Sequence, residues 1–151
     1  MLSRFETFIC SVTEIEQYWR RLAAAEMKKY GLKGGYVIYF TRLYDHPEGL
    51  TATQLQRVCG RDKADISRDM AVLEERGLLC KDRTHGRYRA LISLTEKGRN
   101  LTSEIIRRAE LGVKCIGEKF SDDERSCFYR MLDAITGDMR RMSESGLPGE
   151  A

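Results

Sequence analysis

Residues 50–98 constrain the fold of this chain more than any other stretch. LTATQLQRVCG opens with Thr51 and Gln54 three apart, the spacing at which a hydroxyl and an amide cap each other's backbone. Leu55 and Val58 give that short helix an inner face, and Gly60 stops it. RDKADISRDMAVLEERGLL follows, capped by Asp62, with Ile66, Met70 and Leu73 on one side and Gly77 as a left-handed stop. CKDRTHGRYRALISLTEKG then reads as two short strands, residues 78–80 and 90–94. The hairpin over residues 81–89 joins them, with Thr84-His85-Gly86 at its tip. Two helices parted by a tight turn and followed by a ribbon make a winged helix-turn-helix. Such a unit is shaped to lay its second helix in a DNA major groove with the hairpin beside it.

The flanking segments are helical by period. Phe8, Ile9, Val12, Ile15, Trp19, Leu22 and Ala23 recur in steps of three and four, predicting one long amphipathic helix that ends near Tyr30 and Gly31. Gly34 and Gly35 form a junction before a second helix from Tyr36 to about Tyr44, closed by the turn cluster Asp45-His46-Pro47-Glu48-Gly49. Thr95 caps a fifth helix carrying Leu101, Ile105, Ala109 and Val113. Ser121 and Glu124 form another capping box, ahead of a stripe of Phe128, Met131, Leu132, Ile135, Met139 and Met142. The fold class expected is mostly α with a small β-wing. A single domain over residues 1–151 holds the winged helix-turn-helix at 33–98, flanking helices at 1–32 and 99–143, and a frayed tail at 144–151.

Composition narrows the function. A chain of 151 residues, 42% hydrophobic and 32% charged, folds rather than stays disordered. No uncharged stretch is longer than that of residues 34–41, which is far short of the ~20 residues a membrane span needs. Arg4, Glu6 and Glu14 break the apolar run of the N-terminus, so no signal peptide is expected and the protein reads as cytoplasmic. Five cysteines without a C-x-x-C, and two distant histidines, give no metal-ligand spacing, and neither His46 nor His85 has a companion for catalysis. No cofactor and no enzymatic activity are expected, and the thiols are taken for small core residues. Net charge is only +3, but from Arg76 to Arg99 seven bases face two acids, so the wing region holds +5 and the remainder is negative. Phosphates would lie where that charge is concentrated.

This order of elements resembles the MarR family of bacterial and archaeal transcription regulators, chiefly through LEERGLL followed by LISLTEKG and a recognition helix beginning Asp62-Lys63-Ala64. The resemblance implies an obligate homodimer, held by the first, fifth and sixth helices, that reads an inverted-repeat operator in double-stranded DNA. The long apolar stripes at both ends agree with it independently. Lys63 and Arg68 are the candidates for guanine O6 and N7, Asp65 for cytosine N4, and Ser67 for base or phosphate. Asp69 is placed on the same outward face, to hold Arg68 or repel phosphate. Thr53 and Gln54 sit at a helix N-terminus that favours a phosphate. In the wing, Arg83, His85, Arg87 and Arg89 reach for the minor groove or flanking phosphates. Gly86-Arg87-Tyr88 stands where many members have Asp-Arg-Arg, so the acid that braces the wing arginine is missing.

Family members are often released from DNA by small aromatic or lipophilic ligands. The resemblance therefore implies a repressor with a small-molecule effector, for which Trp19, Tyr36, Tyr39 and Phe40, with Arg42 or His46 for an anionic group, are the candidate lining. The alternative is a thiol switch at Cys10, early in the first helix as in the hydroperoxide-sensing branch. A winged helix that binds only protein, without DNA, is the remaining alternative.

Overall fold

The N-terminal period becomes helix α1 (Arg4–Lys28) in the computed structural model, which describes residues 3–82, 84, 90–147 and 149. A capping box that the apolar spacing does not announce starts it: Glu6 N donates to Ser3 Oγ at 3.1 Å and Ser3 N donates to Glu6 Oε2 at 2.7 Å. The second helix does not begin at Tyr36 as expected. Gly34–Tyr36 form a 3-10 turn, and α2 runs over Val37–Tyr44. The turn is pressed on α1, where a Cβ at Gly34 would stand 2.8 Å from Ala24 Cα.

After α2 come β1 (Leu50–Thr51), α3 (Ala52–Cys59), α4 (Lys63–Glu75), β2 (Leu79–Asp82), β3 (Leu91–Leu94), α5 (Glu96–Ile116) and α6 (Asp122–Ser145). The ribbon is therefore three-stranded rather than two-stranded. The sheet order is β1-β3-β2, antiparallel throughout, with Leu50 opposite Ile92 and Leu79 opposite Leu94. A two-residue strand has no period to read, and Thr51 also serves as the cap of α3.

The described chain divides into two compact units, residues 1–107 and 108–151. In the first, Tyr39, Phe40 and Leu43 of α2, Leu55 of α3, and Ile66, Met70 and Leu73 of α4 are fully buried, together with Met27 at the end of α1. Each such side chain contributes about 1.5–3 kcal/mol by leaving water. Two expectations change. The inner face of α3 is Leu55 and Cys59, four apart, while Val58 is exposed. Of the five thiols only Cys59 joins the core; Cys10, Cys80 and Cys115 are exposed. Strand alternation explains Cys80, because Leu79 beside it points inward.

The C-terminal end of α4 is stitched to the start of α5. Three successive carbonyls accept from it: Arg76 O from Lys97 Nζ at 2.9 Å, Gly77 O from Thr95 Oγ1 at 2.7 Å, and Leu78 O from Thr95 N at 3.1 Å. Gly77 itself is left-handed (φ 68°), and Leu78 N closes the helix by donating to Leu73 O at 3.0 Å. In the second unit, Ser121 and Glu124 cap α6 reciprocally, as expected. Phe128, Met131, Leu132, Ile135 and Met139 along α6 are exposed, as are Phe5, Ile9, Val12, Ile15, Trp19 and Leu22 along α1. Among the described residues no helix is long and apolar enough to cross a membrane.

At Gly98 a Cβ would collide with the Leu78 carbonyl oxygen, a backbone atom with no freedom to move aside. Gly98→Ala is expected to destabilise by at least about 1–3 kcal/mol, as over-packing does, read as a lower urea midpoint with an unchanged slope.

Candidate nucleic-acid interface

The outward surface of the helix-turn-helix is built from two capped helix starts. At α3, Thr51 N and Thr51 Oγ1 each donate to Gln54 Oε1 at 2.8 Å, and Gln54 N donates to Thr51 Oγ1 at 3.3 Å. The carbonyl half of Gln54 is thus committed to the cap, which leaves its amide nitrogen and the exposed Thr53 for a ligand. At α4, Asp65 N donates to Asp62 Oδ1 at 2.8 Å, and this backbone bond is the main reason the Asp62 carboxyl lies below its ordinary range.

Lys63, Ser67 and Arg68 are exposed on α4, with Lys63 and Ser67 one helical turn apart. Asp65 is part-exposed and ion-paired with Arg68, a bond that raises the Arg68 pKa further. Two residues expected to read bases separately are therefore bound to each other.

Asp69 corrects the sequence reading. It is buried, only 8% exposed, and its Oδ2 accepts from the Tyr39 hydroxyl at 2.9 Å. The signal was in the period: Ile66, Asp69, Met70 and Leu73 stand at i, i+3, i+4 and i+7, the inner stripe of a helix. Arg61, in the turn between α3 and α4, was not singled out by sequence. Its guanidinium carbon lies 5.7 Å from the Tyr39 ring centre, a cation–π distance. Nothing local signals that contact, because it joins residues 22 positions apart.

The described part of the wing is anchored at its base. Lys81 Nζ pairs with Glu74 Oε2 of α4 at 2.7 Å, both side chains being part-buried. Asp82 Oδ1 then accepts from Thr84 N at 2.9 Å and Thr84 Oγ1 at 2.6 Å, an Asx-type turn that starts the hairpin. Arg83, His85, Arg87 and Arg89 lie outside the described residues.

The six candidate effector residues do not converge. Tyr36, Tyr39 and Phe40 are core, at 3%, 0% and 0% exposure, so their helical spacing marks packing rather than a pocket lining. Trp19 and Arg42 are exposed, and His46 Nδ1 bonds Glu48 Oε1 at 2.9 Å within its own turn. A cavity of about 390 Å³ lies elsewhere in the first unit, lined by Tyr30, Leu32, Leu78 and Leu101 with Arg76 and Lys97. Cys10 is exposed on α1. Among the described residues no group of three or more potential metal ligands comes together.

Residues 30–87 match the model of the MarR family. The fold is similar to that of a MarR family transcriptional regulator from Listeria monocytogenes, solved with 26mer DNA. The two share 22% identity over 95% of this chain and 97% of that one, with a TM-score of 0.79. It is similar also to a MarR transcriptional regulator from Methanosarcina mazei Go1 (19% identity, 93% and 99% covered, TM-score 0.82). A third similar structure is the S. aureus MepR–DNA complex, at 17% identity, 91% and 99% covered, and a TM-score of 0.77. No curated protein matches the chain by sequence.

Burial pushes the Cys59 thiol above its ordinary range, against a smaller opposing pull from Arg42 and Arg61. It therefore stays protonated at neutral pH. A thiol-reactive disulfide reagent is expected to leave Cys59 unmodified in the native protein and to label it once denaturant is added, as peptide mass spectrometry would report.

Proposed function

From the match of residues 30–87 to the model of the MarR family, we propose that the chain is a regulator of that kind, a sequence-specific double-stranded DNA-binding transcriptional regulator. One observation carries the reading. The apolar stripe of α4 is locked into the core while Lys63, Ser67 and Arg68 project from its other side, so a rigid polar edge stands ready for a major groove. The Listeria and MepR structures of similar fold, both solved with DNA, support it.

In this reading Arg68, steadied by Asp65, meets guanine, Lys63 and Ser67 contact neighbouring bases or phosphates, and the start of α3 with Thr53 and Gln54 takes a phosphate. Arg83, His85, Arg87 and Arg89 of the wing add backbone contacts. The chain acts as a homodimer, because the exposed stripes of α1 and α6 are too apolar to face water and a second copy covers them. A two-fold pair sets its recognition helices about one DNA turn, ~34 Å, apart, and so reads an inverted repeat. It works in the cytoplasm as a repressor and carries out no catalysis. Release follows binding of a small aromatic or lipophilic molecule. The cavity flanked by Arg76 and Lys97 has the apolar lining and positive charge that suit such a ligand with an acidic group.

Selection of bound sites from random duplex DNA is expected to recover an inverted repeat, and affinity for it should fall steeply as salt rises. Weak binding that ignores both sequence and salt would favour a protein-interaction module instead. On the recovered duplex, Arg68→Ala should cost about tenfold to a hundredfold in affinity and relax preference at one base pair per half-site. Arg87→Ala should weaken recovered and scrambled duplexes alike.

A further inference from the structure

The buried carboxylate on the recognition helix has no part in the contacts just described, yet it sits one residue from Arg68. Among the described residues its side chain accepts one hydrogen bond, from Tyr39 of α2, which is itself fully buried. Around this pair stand the Arg61 guanidinium over the Tyr39 ring, the Tyr36 ring 6.1 Å from it, and Lys33, whose Nζ lies 5.8 Å from the Tyr36 ring centre. A charge in the core is tolerable only where it is bonded. An apolar residue at position 69 would extend the stripe of Ile66, Met70 and Leu73 without such a demand, so the acid is not there for packing.

Resting on the DNA-binding reading above, we propose that Tyr39 and Asp69 are a positioning pair that fixes the roll of α4 about its axis and thereby selects which bases Lys63, Ser67 and Arg68 reach. Just past its C-terminal end, α4 is held by the three carbonyls bonded to Lys97 and Thr95. Those bonds hold one end of the helix and leave its middle to other contacts. Asp69 lies on the helix perimeter, half the helix away, where a single bond has leverage over rotation. Successive residues stand ~100° apart around a helix. A small roll that lets water reach Asp69 therefore also swings Arg68 off its base pair and brings a negative charge toward the phosphates.

Tyr36 supplies a matched control. Its hydroxyl is buried like that of Tyr39, and burial pushes both phenols upward, helped by the charge of Asp69 at Tyr36 and first by its hydrogen bond at Tyr39, so both keep their protons. The Tyr39 hydroxyl has an acceptor in Asp69, whereas among the described residues that of Tyr36 has no hydrogen-bond partner.

The test uses the full chain and two duplexes, one recovered from random-sequence selection and one scrambled, titrated by fluorescence anisotropy. Tyr39→Phe is expected to lose about tenfold or more on the recovered duplex while the scrambled one changes by less than about twofold. Tyr36→Phe should leave both within about twofold of the parent. Asp69→Asn, which keeps an acceptor for Tyr39, should retain most of the preference. Tyr39→Phe combined with Asp69→Leu removes both polar partners and should restore the preference to within about threefold. If Tyr39→Phe alone does not fold by circular dichroism, Asp69→Leu in the parent chain carries the test and should lose about fivefold of the preference. Equal losses for the two Phe variants, equal losses on the two duplexes, no rescue by the double variant, or an Asp69→Leu variant that discriminates like the parent would overturn the positioning pair. A parent chain that prefers no duplex at all sinks the DNA-binding reading itself, a separate result.

Discussion

The inner face of α4 decides most of what this molecule presents to its surroundings. Ile66, Met70 and Leu73 leave water together with Tyr39, Phe40, Leu43 and Leu55, and that shared core is what turns Lys63, Ser67 and Arg68 outward. Helix orientation here is a by-product of hydrophobic burial, with a polar bond added for finer control. The neighbouring ion pairs contribute differently. Arg68 with Asp65 is largely exposed and does little for stability. Its value is geometric, since it reduces the number of directions in which a long side chain points.

Local chemistry was the legible part of the sequence. Thr51 with Gln54, Ser121 with Glu124, Asp62 and Gly77 all do what their spacing announced, because a cap bonds to residues only a few positions away. The three-and-four period placed Ile66, Met70 and Leu73 correctly for the same reason. Asp69 was misplaced by letting its charge outweigh its position: at i+3 from Ile66 it belongs to the inner stripe, and a distant hydroxyl makes that burial affordable. Cys59 displaced Val58 on α3, and Cys80 turned outward on β2, because the facing surface and the strand pleat, not residue type, decide which side is dry. β1 pairs with β3 some forty positions away, a contact no local pattern encodes.

The aromatic residues make the same point about sites. Tyr36, Tyr39 and Phe40 looked like a lining and are a core, while a cavity of the first unit is bordered by Tyr30, Leu32, Leu78 and Leu101 from separate segments. Pockets form where elements fail to meet, and a helical period reports only where they do. The apolar faces left open on α1 and α6 belong to a third category. They are core-like in composition yet exposed in the described chain, and in the proposed homodimer a second copy covers them.

The junction after α4 carries a mechanical corollary. With the carbonyls of residues 76, 77 and 78 each bonded to the first turn of α5, and no side chain at position 98 to hold the backbones apart, the two segments behave as a welded joint. Drawing the two segments apart would break three bonds at once. A displacement of the first turn of α5 is therefore handed on to the end of α4 rather than absorbed between them, as a bracket passes on the load of the beam bolted to it.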